Sequence, residues 1–93
     1  MTGYEVCYMS SLGLLTIVFY RTLEDYDNMT PAKIFIITPR RDRKIALEKA
    51  RILERRFKGA EIKILIEGKD KEKIDKIINE CLEANNVLSP SPW

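Results

Sequence analysis

Histidine is absent from this 93-residue chain. That excludes imidazole acid-base catalysis, Ser-His triads and His-ligated zinc. Cysteine is scarce. Cys7 and Cys81 stand far apart in apolar surroundings, with no CxxC spacing to suggest a metal or redox motif. Their isolation predicts two buried free thiols, which suit a reducing cytoplasm. Glycine and proline number four each, too few for a linker-like or low-complexity chain. The longest apolar run, Leu12 to Tyr20, is less than half of the roughly 20 residues that a membrane span needs, and the N-terminus lacks the basic region of a signal peptide. The phosphate-binding and nucleophile motifs GxGxxG, GxxxxGK[ST] and GxSxG are also missing.

What remains is 45% hydrophobic and 32% charged, the composition of a folded globular chain. Its length allows one domain, read as residues 1–87, followed by an extended tail over 88–93 that carries two prolines. Heavy use of Ile, Lys, Glu and Arg resembles archaeal and thermophile composition. The net charge of +2 hides an asymmetry, with −3 in residues 1–30 and +5 in the rest.

From Lys33 onward the elements are well punctuated. KIFIIT, Lys33 to Thr38, reads as a buried strand stopped by Pro39. Between Asp42 and Phe57 an apolar stripe of Ala46, Ala50, Leu53 and Phe57 predicts an amphipathic helix, with Asp42 near its start and Gly59 as its stop. EIKILIE, Glu61 to Glu67, reads as a strand ended by Gly68. Asp70 then opens a helix whose stripe is Ile74, Ile77, Ile78, Cys81 and Leu82, ending near Asn85 and Asn86.

The N-terminal third is ambiguous. Tyr4 to Met9 reads as a strand, but SSLGLLTIVFYRT admits two interpretations. Thr16 to Tyr20 favour extended structure by composition, which would make Gly13 a hairpin turn. Leu12, Leu15, Phe19, Leu23 and Tyr26 recur at helical spacing, which would make Gly13 part of a strand-to-helix loop. The length of the pattern and the need for a crossover before Lys33 select the helix. The expected fold is therefore a small Rossmann-like α/β domain, β-α-β-α-β-α, with a three-stranded parallel sheet. So short a sheet leaves edges and faces to cover, so a homodimer is expected.

In such a sheet, ligands collect beyond the carboxyl ends of the strands. The candidate ligand-binding residues are Ser10, Ser11, Leu12 and Gly13 after the first strand, with Thr38, Pro39, Arg40 and Arg41 after the second. Their hydroxyls, close backbone and guanidiniums suit a phosphate or nucleotide. Residues 39–58 carry a net +6, and Arg43, Lys44, Arg51, Arg55 and Lys58 on this helix form an alternative surface for DNA or RNA. Glu24, Asp25 and Asp27 read as solvated. With no catalytic constellation, metal site or cofactor motif, the chain reads as a non-enzymatic binding protein.

YEVCYMSSLG, KIFIITPRRDRKIALEKARILERRF and AEIKILIEG together resemble the N-terminal half of CARF domains, the CRISPR-associated Rossmann-fold sensors. By position, Ser10, Ser11, Leu12 and Gly13 match that family's first loop, and Thr38 and Pro39 its second. The resemblance implies a dimeric sensor module that binds cyclic oligoadenylate above the sheet. A weaker resemblance, in element order, basic turn and length, is to Alba-type archaeal chromatin proteins. The functional expectation is a non-catalytic nucleotide- or oligonucleotide-binding module. Its alternatives are sequence-independent DNA or RNA binding through residues 40–58, and a structural or assembly role.

Overall fold

A computed structural model describes residues 3–11 and 13–89; Leu12 and residues 90–93, most of the expected tail, lie outside them. Five strands and three helices follow one another as β1 (Val6–Ser10), β2 (Leu15–Tyr20), α1 (Leu23–Asp27), β3 (Lys33–Thr38), α2 (Arg43–Arg56), β4 (Glu61–Ile66), α3 (Lys71–Leu82) and β5 (Asn86–Leu88). A single turn of 3-10 helix, Arg40–Asp42, leads into α2. The strands form one mixed sheet in the order β4-β3-β2-β1-β5.

The α/β class is as expected, but the three-stranded parallel sheet is not what forms. β1 and β2 make an antiparallel hairpin, with Ser10 opposite Thr16, and β2 pairs antiparallel with β3. Parallel pairing is confined to β3 with β4 and β1 with β5. The long helix expected through Tyr26 shrinks to the five residues of α1, started by Thr22, whose hydroxyl accepts the Asp25 N–H at 3.0 Å. The reason is local. Thr16 to Tyr20 are all β-branched or aromatic, and β2 is central with large side chains on both faces, so such side chains fall at every register and mimic a helical stripe. Gly13 takes φ +74° in the hairpin turn, a left-handed conformation that costs glycine little.

Side-chain alternation divides the sheet into two faces. Cys7, Ile17, Phe19, Phe35, Ile37 and Leu65 share one face and pack with Ile77, Cys81 and Ala84 in the main core. Cys7 and Cys81 are not free thiols. They form a disulfide that fastens β1 to α3 across 74 positions, with both residues fully buried. Their apolar contexts gave no sign of pairing because the bond joins elements remote in sequence. The opposite face carries Tyr8, Val18, Tyr20, Ile34 and Ile36. There α2 packs chiefly on β3 and β4 through Ala46, which is buried, and the half-buried Leu53 and Phe57.

The back of the chain follows its reading as far as α3, which ends at Leu82, short of the expected Asn85 and Asn86, and an unexpected fifth strand begins at Asn86. Leu88, expected to open the tail, instead ends β5, where it lies opposite Tyr8. Asp70 precedes α3 without capping it through its side chain. Its carboxylate turns back to accept the Ile66 N–H at 2.9 Å and closes the tight connection after β4.

Candidate functional site

The strand registers bring the two predicted loops to one end of the sheet. Ser10 lies opposite Thr16, and Thr16 opposite Ile36, so the β1–β2 turn and the segment after β3 lie side by side with the start of β2 between them. Within this set the roles divide. Ser11, Gly13, Arg40 and Arg41 are exposed, and Ser10 and Pro39 are half-buried. Thr38 is fully buried, and its hydroxyl donates to the Pro39 carbonyl at 2.9 Å, committing it to its own turn. Leu12 lies outside the described residues.

Beside this edge opens a cleft of about 620 Å³ between α2 and the hairpin, and among the described residues of the predicted loops only Ser10 lines it. It exists because α2 covers the β3 and β4 side of this face, leaving part of the β1 and β2 surface open. Tyr8 and Tyr20 reach the same face because Tyr8 lies opposite Val18, two residues from Tyr20. Tyr26, held by α1, meets the Tyr20 ring edge-on with centroids 5.2 Å apart. Tyr20 is 8% exposed and forms the floor, while Tyr8 and Tyr26 are half-buried.

Two cations on α2 line the other wall, Lys49 and Arg56. Lys49 Nζ donates to the Leu14 carbonyl at 3.3 Å, and the Thr16 hydroxyl donates to the same oxygen at 3.2 Å. Burial pushes the Lys49 ammonium below its ordinary pKa. Burial also pushes the Tyr20 phenol up, helped by the neighbouring Tyr26 and Tyr8 phenols, while Arg56 pulls it the other way. Arg56 keeps its guanidinium over the Phe57 ring, 5.3 Å from the centroid. A wall of cations facing a floor of phenols can stack a planar group and neutralise an anion at the same time.

The alternative surface is intact but separate. Arg43, Lys44, Arg51, Arg55 and Lys58 are all exposed; on α2 the 100° turn per residue sets Arg43, Lys44, Arg51 and Arg55 away from Lys49 and Arg56, and Lys58 follows the helix end. Among the described residues the ion pairs are Lys33 with Glu61 at 3.9 Å and Lys63 with Glu61 at 3.5 Å, so none of the bases of α2 is neutralised. The same residues contain no cluster of three or more metal-ligating side chains.

Sequence reasoning missed Tyr8, Tyr20, Tyr26, Lys49 and Arg56 as a group. Their signal was the period-two alternation of Tyr8 with Cys7, and of Val18 and Tyr20 with Ile17 and Phe19, legible only once β2 is read as a strand. Comparisons of the chain with protein-family models, curated proteins and solved structures gave no match.

Proposed function

We propose that the chain is a non-catalytic nucleotide- or oligonucleotide-binding module whose ligand occupies the cleft between α2 and the β1–β2 hairpin. The observation that carries this reading is the convergence of three tyrosines with Lys49 and Arg56 on one cleft. Bases stack on aromatic rings whatever their sequence, and cations hold phosphates. Ser10 supplies a hydroxyl at the end nearest the strand-end loops. Binding rather than turnover is the reading because Lys49 already donates to Leu14, and the Tyr20 phenol is held protonated. Cyclic oligoadenylate is the ligand that the CARF resemblance implies.

The test is a thermal shift of the pure protein against mononucleotides, linear and cyclic oligoadenylates and duplex DNA, at low and moderate salt. A ligand at 100 times its Kd stabilises the folded state by about 2.7 kcal/mol. A salt-tolerant rise in Tm with a nucleotide ligand, at least halved by Tyr8→Ala, is expected. No rise with any nucleotide removes the reading, and a rise with the cyclic form alone carries the sensor version of it.

A second reading, duplex DNA or RNA along the outer face of α2, is favoured by the unneutralised bases there. It predicts binding that weakens steeply with salt and is lost in Arg51→Gln with Arg55→Gln rather than in Tyr8→Ala. Under either reading we assign the chain to the cytoplasm. Disulfides like that between Cys7 and Cys81 occur in the intracellular proteins of hyperthermophiles, whose composition this chain resembles.

A further inference from the structure

The two cations of the cleft stand at opposite ends. Lys49 is drawn to the Leu14 carbonyl, beside Ser10 and Thr16. Arg56 stands at the other end, where its charge acts on the Tyr20 phenol. Seven residues separate them on α2, about 10.5 Å along the helix axis at 1.5 Å per residue. One phosphate cannot span that distance, whereas two phosphates separated by nucleosides can. Half-buried Tyr8, opposite Val18, lies midway along this face, while Tyr20 with Tyr26 edge-on to it stands at the Arg56 end.

The cleft is also open along one side among the described residues. Among the described residues α2 packs chiefly on β3 and β4, and α3 reaches β1 from the opposite face, where Cys7 holds Cys81. A chain can therefore, among the described residues, enter and leave over β1 and the edge strand β5 beside it. Resting on the nucleotide-binding reading above, we infer that the cleft takes a single-stranded oligonucleotide, with one phosphate at Lys49, another at Arg56, and bases stacked on the tyrosines along the cleft.

The test is a calorimetric titration of the whole protein with AMP, ADP, pApA, pApApA and cyclic diadenylate. ADP separates charge from spacing, because its two phosphates are adjacent. The expected result is at least tenfold tighter binding of pApApA than of AMP or ADP. That gain should disappear in Lys49→Gln and in Arg56→Gln, variants that keep hydrogen-bond donors and are checked for an unchanged circular dichroism spectrum. Arg51→Gln on the outer face should leave it intact. Two phosphate contacts with a single strand predict a slope of log affinity against log salt of about −1.4.

Equal affinity for AMP, ADP and pApApA overturns the two-phosphate inference and leaves the nucleotide reading standing. Failure to bind any of them overturns both. A gain that survives both cleft variants, or a slope near about −4.5 as five duplex contacts would give, moves the nucleic acid to the outer face of α2 and overturns the inference. Equal binding of cyclic diadenylate and pApApA replaces the open strand with a ring.

Discussion

Tyr20 shows how much one side chain does at the site. It is a strand residue in the floor of the cleft, 8% exposed, with Tyr26 edge-on above it and Arg56 near enough to act on its hydroxyl. Because burial raises its pKa above 10.0 in the folded state, the folded protein holds this proton more firmly than the unfolded chain. The corresponding stability is fully present below pH 10 and is lost as the pH climbs through the raised value. Lys49 has the opposite sign. Its lowered pKa means that stability rises with pH between the lowered value and the ordinary 10.5, opposing the fall from Tyr20. Tyr20→Phe should flatten the fall in Tm above pH 10. An alkaline melting series with an unchanged slope would show that the phenol is not buried as described.

At the scale of elements, the sequence was legible wherever each element had its own punctuation. The stripe Ala46, Ala50, Leu53 and Phe57 did mark α2, and Gly59 follows its end with φ +93°. Pro39 and Gly68 mark the ends of β3 and β4 just as plainly. The failure at β2 has a physical cause. Periodicity reports an alternation of apolar and polar side chains, and a central strand with Ile17 and Phe19 on one face and Val18 and Tyr20 on the other has no such alternation to report. With β2 misread, the hairpin, the antiparallel pairing and the tyrosine cleft could not be seen, since all three depend on β1 turning back at Gly13. The disulfide was hidden for a different reason. It pairs β1 with the last turn of α3, and nothing in local spacing reveals such a contact. By the loop-closure argument it stabilises the fold by roughly 4 kcal/mol. Cys7→Ala with Cys81→Ala should lower stability to urea by an amount of that order. In the native wild type, reductant should act slowly, because both cysteines are fully buried. Rapid reduction without unfolding would contradict the burial.

For the molecule as a whole, the sheet solves its exposure problems in different ways. The β4 edge carries the exposed charges of Glu61 and Lys63, which pair at 3.5 Å and discourage strand addition there. The outer surface of α2 is less protected. Ile45 and Ile52 on α2 are 56% and 57% exposed, seven residues apart on one side of the helix. They are the apolar positions through which we propose that the expected homodimer forms. Light scattering of Ile45→Glu with Ile52→Glu should then report half the wild-type mass. An identical monomeric mass for both proteins at high concentration removes the dimer.

The bond between Cys7 and Cys81 also makes the fold nearly a closed ring, in which most of the backbone lies within the loop it seals. A protease that cuts once inside that loop, for example after the exposed Lys58 beyond α2, cannot release a fragment. The nicked protein would migrate as one species without reductant and as two with it. Every connection between β1 and α3 could therefore be opened singly while its two halves stay tethered, each cut leaving two new ends that the disulfide keeps within reach of one another.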